Sequence, residues 1–279
     1  MSTKKVWFVT GASKGLGLTL VKKLLAEGYS VAATSRNIAE LQKVINGENS
    51  TFLPLEVDLV NENSVSEAIS KTVEKFGRID VVVNNAGYGQ LGTLEELTDE
   101  ESRQNFDTNV FGSLNIIRKT MPYLREQKSG FIINIASIGG LTGEFAGWGI
   151  YCATKFAVVG FTEALAAEVK EFGVNATVVY PGYFRTDFLT GGSLRTPKTE
   201  LEEYTVARQL QAAHEKDING NQPGSPEKAA VAMIELTEMQ TPPVHLVLGS
   251  DAFNIAGNKL NALQNEISDF KTLSTSTDY

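Results

Sequence analysis

Cysteine, histidine and long apolar runs are what this chain has least of. The single cysteine in 279 residues, Cys152, rules out an internal disulfide and fits a reducing compartment. Its expected role is a small buried apolar residue rather than a reactive thiol. The two histidines, His214 and His245, show no ligand-like spacing with cysteine or carboxylates, so no metal site is expected. No run approaches the roughly eighteen apolar residues of a membrane span. The N-terminus passes from Lys4 and Lys5 into a short strand without the apolar core of a signal peptide, and a cytoplasmic location is the expectation. Basic charge is not in excess either: the net charge is −8 with no basic stripe, which argues against a nucleic-acid partner. No Pro/Ser-rich linker and no internal repeat divides the chain, so one domain over 1–279 is expected.

What is present is ordinary for a soluble globular protein: 42% hydrophobic and 21% charged residues. Short β-branched runs alternate with helical periodicity, at intervals that suit parallel βαβ units. Strands are expected over 6–10, 30–35, 52–57, 80–83, 131–136, 176–180 and 244–249. Between them, helices are expected after the first glycine turn, over 64–76, from a Thr98/Glu101 capping box through Phe106, Val110, Leu114, Ile117 and Met121, from Tyr151 to Gly173, and over 227–238 and 251–270. The segment 187–226, broken by glycines, prolines and charges just after a strand, reads as an active-site lid. The polar tail 271–279 reads as frayed.

The first strand runs into Thr10-Gly11-Ala12-Ser13-Lys14-Gly15-Leu16-Gly17 and then a helix. Glycines at such a βα turn let the backbone turn tightly and bring a pyrophosphate up to free helix N–H groups. The G-x-x-x-G-x-G spacing is neither the usual dinucleotide fingerprint nor a Walker loop, and a glycine turn alone could be structural. Its position as the first βα turn points to a dinucleotide. The second strand ends Thr34-Ser35-Arg36-Asn37, without the acid that would bind an NAD ribose. Arg36, with Lys14, suits a 2′-phosphate instead, so NADP(H) is expected over NAD(H).

The stretch 131–160 places Ser137 at a strand end and, after a Gly-rich loop, Tyr151 and Lys155 four apart on one helix face. Tyr-x-x-x-Lys by itself is a weak motif, since it also describes a surface lysine beside a half-buried tyrosine. The Ser-ended strand and the glycine turn raise its meaning. A hydroxyl, a phenol and an ammonium at one end of a sheet form a proton-transfer device.

Taken together, Thr10-Gly11-x-x-x-Gly15-x-Gly17, Asp58, Asn84-Asn85-Ala86-Gly87, Asn109, Ser137, Tyr151-x-x-x-Lys155 and Pro181-Gly182-x-x-x-Thr186 resemble the single-domain branch of the short-chain dehydrogenase/reductase superfamily over about residues 4 to 250. The resemblance implies a doubly wound Rossmann fold, α/β with a seven-stranded parallel sheet flanked by helices, and a nicotinamide cofactor. It implies a catalytic set of Ser137, Tyr151, Lys155 and Asn109, with Tyr151 as general acid or base, Lys155 lowering the phenol's pKa and Asn109 positioning a water. It also implies that Asp58 and Leu59 flank the adenine, that Asn85, Ala86 and Gly87 line the cofactor cleft beside Pro181-Gly182, and that Thr186 holds the carboxamide. A homodimer or homotetramer is expected on the same ground. Leu141, Phe145, Trp148, Tyr183, Phe188 and Leu189 flank the catalytic stretch and lid, and would make a cleft for a bulky hydrophobic or aromatic carbonyl or alcohol. The alternative is a non-catalytic NADP-binding sensor on the same fold, which would need the glycine turn and Arg36 but not Ser137, Tyr151 and Lys155 together.

Overall fold

The computed structural model describes residues 4–45, 50–190 and 192–279; Gly191, within the expected lid, lies outside them. The chain runs β1 Val6–Val9, α1 Gly15–Ala26, β2 Ser30–Ser35, α2 Ile38–Val44, β3 Phe52–Glu56, α3 Glu62–Phe76 and β4 Val81–Asn84. It continues with β5 Gly89–Gln90, α4 Asp99–Phe106, α5 Gly112–Gln127, β6 Gly130–Ile135, α6 Gly149–Val169, β7 Val174–Pro181 and β8 Leu194–Arg195. The last elements are α7 Thr205–Ala213, α8 Pro226–Leu236, β9 His245–Leu248, α9 Ser250–Asp269 and α10 Lys271–Thr275.

Seven strands form one parallel sheet in the order β3-β2-β1-β4-β6-β7-β9. Every strand pair is parallel because each crossover contains a helix, and helices cover both faces. Alternation along β1 divides the core: Trp7 and Val9 join Leu20, Val21 and Leu24 of α1 and Met233 of α8, whereas Phe8 faces Ile69 of α3, Ile116 of α5 and Leu165 of α6. Strand order reverses between β1 and β4, and their carboxyl ends open the crevice where such sheets bind ligands.

Four departures from expectation bear on the site. The long helix after Thr98 keeps its capping box but widens into a π-helical stretch at Asp107–Phe111, which contains Asn109. Such bulges re-aim side chains at functional sites. The segment expected to be a lid folds back on the body: β8 pairs in parallel with β5, and neither short strand has a periodic signal of its own. A short α2, capped by Asn37 through the Ala39 N–H, follows β2. Lys271–Thr275, the first part of the tail expected over 271–279, forms α10, whose Ser274 and Thr275 hydroxyls donate to the carbonyls of Phe270 and Lys271.

Among the described residues one helical segment, 149–172, is long and apolar enough to cross a membrane by length and composition alone. It is α6 and the turn after it. Val158, Thr162, Leu165 and Val169 are buried in the body of the domain.

Candidate active site

A cavity of about 920 Å³ opens at the carboxyl ends of the strands. Its glycine end is made by stitching two strand ends together. The Thr10 hydroxyl donates to the Val83 carbonyl (3.2 Å) and accepts from the N–H groups of Asn85 (3.0 Å) and Ala86 (3.1 Å). Asn85 Nδ2 in turn donates to the carbonyls of Thr10 and Gly11, both at 3.0 Å. The approach leaves no room for side chains. A Cβ on Gly11, whose φ is +64°, would sit 2.7 Å from Ala86 Cα, and one on Gly17 would collide with Asn85 Nδ2 and lie 2.5 Å from the Gly11 carbonyl oxygen. Helix α1 starts with no side-chain cap and no acid in its first turn. Its first N–H groups and dipole are thus free to take an anion, in a wall lined by Gly11, Ser13, Lys14, Gly15 and Leu16. These features fit a dinucleotide pyrophosphate.

Further along the cavity, Arg36 is exposed at the end of β2 beside Asn37, Asp58 and Leu59, where the sequence places the adenosine end. Leu59 is packed against α5, a Cβ on Gly112 lying 3.0 Å from Leu59 Cβ. Glu40, in the first turn of α2, lines the same end and had not been anticipated.

Ser137, Tyr151 and Lys155 meet where β6 and α6 come together. Ser137 follows β6 and accepts the Gly139 N–H through its hydroxyl (3.1 Å), opening a 3₁₀ turn. Tyr151 and Lys155, on the first turns of α6, are buried to 8% and 5% exposure. Lys155 Nζ donates to the Ile135 carbonyl at 2.9 Å and lies 5.7 Å from the Tyr151 ring centre. Burial pushes the Tyr151 phenol well above its ordinary range, and a hydrogen bond with Ser137 offsets only part of that. Burial also lowers the Lys155 ammonium to about 8. The expected depression of the phenol by Lys155 is therefore not a property of the protein alone. Desolvation acts on both groups, and it outweighs attraction at this separation.

Asn109 does not line the cavity. From the π-helical stretch its Oδ1 accepts the Tyr88 N–H (3.0 Å), and its Nδ2 donates to the Tyr88 carbonyl (3.1 Å) and to Thr154 Oγ1 (3.0 Å). It thereby ties α6 to the strand end after β4. Gly87 sits between Asn109 and Lys155: a Cβ there would be 3.0 Å from Asn109 Oδ1 and 3.7 Å from Lys155 Nζ. Pro181, Gly182 and Thr186 line the cavity after β7, with Gly182 crowded by the Asp251 carboxylate at the start of α9.

The far wall is aromatic. Phe145, Trp148, Tyr183, Phe188 and Leu189 line it as expected; Leu141 does not. Leu141 packs instead between α6 and α9, beside Val158 and Ala252, because the 3₁₀ turn after Ser137 points it away from the opening. Trp148 meets Tyr151 edge-on, with ring centres 5.4 Å apart, and Phe188 lies 6.1 Å from Tyr151 on another side. Cys152 is buried and burial raises its thiol to about 11, which matches a packing role.

Residues that line the cavity without having been singled out for it include Tyr88, Arg195, His214 and Gln222. Arg195, on β8, stacks 4.1 Å from the Tyr88 ring centre and donates to its hydroxyl. The segment 187–226 is held by Glu96, whose carboxylate accepts from the Thr93 and Leu201 N–H groups and pairs with Arg208 of α7 at 2.9 Å. Desolvation opposes ionisation of Glu96, but these bonds more than offset it and hold its pKa below the ordinary range.

The fold and cavity together define a dinucleotide-binding domain with a phenol, a hydroxyl and an ammonium at its switch point. The chain belongs to the short chain dehydrogenase family, whose model matches residues 5–194. It is 36% identical over 261 residues to the oxidoreductase BOA17 of Botryotinia fuckeliana, covering 93% of this chain and 94% of that one. It is 34% identical over 251 residues to the 3-ketodihydrosphingosine reductase of Bacteroides thetaiotaomicron, covering 88% of each. A crystal structure of a short-chain dehydrogenase from Streptomyces avermitilis superposes with a TM-score of 0.91 at 32% identity, over all of both chains. More distant structures have either cofactor bound. ElxO holds NADP (26% identity, TM-score 0.74, covering 90% and 99%). A 3-ketoacyl-(acyl-carrier-protein) reductase from Brucella melitensis holds NADH (25%, 0.73, 88% and 98%).

Proposed function

We propose that this oxidoreductase moves a hydride between NADP(H) and the carbonyl or secondary-alcohol carbon of a bulky hydrophobic or aromatic compound. The observation that carries the reading is the meeting of Ser137, Tyr151 and Lys155 with an aromatic wall inside one cavity that also has a glycine-lined anion cradle. A non-catalytic sensor would have no use for that meeting. The names of the two ketone reductases among the relatives and neighbours lend support.

The bound nicotinamide supplies or accepts the hydride. Tyr151 exchanges a proton with the substrate oxygen, and Ser137 hydrogen-bonds the same oxygen. A phenol raised by burial is protonated at neutral pH, which suits donation to a developing alkoxide in reduction. Lys155 holds the ribose hydroxyls, and its pKa, lowered to about 8 by burial, lets it relay a proton toward Tyr151. Asn109 holds the strand end after β4 against α6 and positions a water beside Lys155. Thr186 takes the carboxamide, and Asp58, Leu59 and the 85–87 turn hold the adenosine half. Lys14 and Arg36 take the 2′-phosphate, with Glu40 as the opposing charge.

A homodimer or homotetramer goes with this reading, supported by Phe111 and Phe156, which are 50% and 44% exposed beside α5 and on α6. Light scattering at micromolar concentration tests it, and a monomeric mass contradicts it. The activity is tested by following nicotinamide absorbance over a panel of ketones, aldehydes and alcohols. NADPH consumption with aryl or bulky ketones is expected, with weaker turnover of small polar carbonyls. Binding of NADPH without turnover of any of them would favour the sensor.

A further inference from the structure

One polar pair in the aromatic wall has no part in the chemistry just described. His214 follows α7 in the lid, is 3% exposed, and lines the cavity together with Tyr183 from the loop after β7. Its Nδ1 lies 2.8 Å from the Leu210 carbonyl oxygen. A carbonyl can only accept, so Nδ1 carries the hydrogen and Nε2 is left with a bare lone pair. That nitrogen lies 2.9 Å from the Tyr183 hydroxyl, so the phenol must donate to it. The Tyr183 oxygen is thereby fixed as an acceptor, its own hydrogen turned toward the lid. Trp148 connects this pair to the reacting phenol, its ring centre 5.1 Å from that of His214 and 5.4 Å from that of Tyr151. Burial holds His214 below its ordinary pKa and Tyr183 above its own, so both are neutral near pH 7.

From this orientation we propose that the substrate carries, away from its reacting carbonyl, a hydroxyl that donates to the Tyr183 oxygen, with Tyr183 determining specificity and His214 acting as the positioning residue. The inference rests on the carbonyl/alcohol reading above and narrows its substrate class to hydroxylated aromatic or polycyclic ketones and the matching alcohols. A remote carboxylate is disfavoured, because the neutral pair offers it a lone pair and no cation. An ether or a bare ring leaves the Tyr183 acceptor buried without a donor, and sites built to bond a hydroxyl discriminate against analogues that lack it.

The test compares aryl ketones bearing a meta- or para-hydroxyl with their methyl ethers, using the full-length protein and NADPH. Wild type is expected to favour the hydroxylated member of at least one pair by about tenfold in kcat/KM, chiefly through KM. Tyr183→Phe should bring that ratio close to one. His214→Phe should also reduce it, because the freed phenol can turn and donate to an ether oxygen; a merely structural defect would lower both substrates alike and leave the ratio standing. A wild-type ratio near one throughout the panel overturns the proposal whether or not the variants fold, as does a preference that survives in folded Tyr183→Phe. No NADPH consumption with any ketone is a different result, and would refute the carbonyl/alcohol reading itself.

Discussion

At the glycine end of the cavity the wall is backbone: Gly11, Gly17 and Gly87 lie so close to Ala86, Asn85 and Asn109 that a single added carbon would collide or crowd. At the aromatic end the wall is side chain, made by Phe145, Trp148 and Tyr183 together with Phe188 and Leu189 of the segment 187–226, which is fastened by Glu96 and Arg208 and by the short pairing of β5 with β8. The first kind of wall tolerates almost no added side chain. The second can be rebuilt without disturbing the sheet, and on the proposed function it is the end that would choose the substrate.

The largest effect is expected where the two ends meet. Lys155→Met should lower turnover by about 10³ or more and weaken cofactor binding as well. It should also stabilise the protein without cofactor, because the drop of the ammonium from 10.5 to about 8 corresponds to about 3 kcal/mol held against folding. The sign follows from proton binding. Below pH 8 both folded and unfolded chains hold the proton and the whole penalty stands. Between about 8 and 10.5 the unfolded chain keeps a proton that the folded chain has released, so wild-type stability should rise with pH across that window and Lys155→Met should flatten the rise. Above about 10, Tyr151 works in the opposite sense, since its raised pKa favours folding only while the phenol stays protonated. Denaturant melts at pH values on either side of 8 measure this.

Next comes Gly11→Ala, which must place a Cβ at φ +64° and 2.7 Å from Ala86 Cα. Backbone strain alone should cost about 1–3 kcal/mol, read by chemical denaturation, with dinucleotide affinity falling in parallel. Smaller again is Arg36→Asp, which should narrow or reverse the preference for NADP(H) by about tenfold in the ratio of kcat/KM values, one charge-assisted contact being worth about 1.5–3 kcal/mol. Equal efficiency with both cofactors in the unmutated protein would contradict that assignment and leave Glu40 as the dominant charge at that end. Smallest is Glu96→Gln, which loosens only the lid: KM should rise a few-fold and cleavage within the lid by trypsin should quicken, while dinucleotide affinity stays within about twofold.

The same contrast governs how much was legible before the structure. The seven strands and their parallel pairing, though not their order in the sheet, followed from β-branched runs alternating with helical periodicity, since strands buried on both faces must be apolar throughout. The glycine cradle was legible because close backbone approach leaves a mark in residue type. Asn109 was placed in the catalytic set by the family resemblance, but its π-helical setting has no local signal; only the bonds to Tyr88 and Thr154 reveal it. The aromatic wall was read from proximity along the chain to Ser137 and Tyr151; Phe145 and Trp148 line the cavity, whereas Leu141, whose direction depends on a 3₁₀ turn, does not. His214 and Arg195 could not be found that way, because they reach the cavity through lid folding and partners far away in the chain. The raised phenol was likewise not legible, since desolvation depends on what surrounds a residue and not on its spacing from a lysine.

The central claim, that Tyr151 is the group exchanging a proton with the substrate oxygen, is tested most directly by Tyr151→Phe, which keeps the ring against Trp148 and Phe188 and removes only the hydroxyl. Steady-state NADPH oxidation with the best ketone of the panel should fall by about 10² to 10⁴, while NADPH affinity by fluorescence titration stays within a few-fold of wild type. A variant that binds NADPH normally and turns over at close to the wild-type rate would contradict the account.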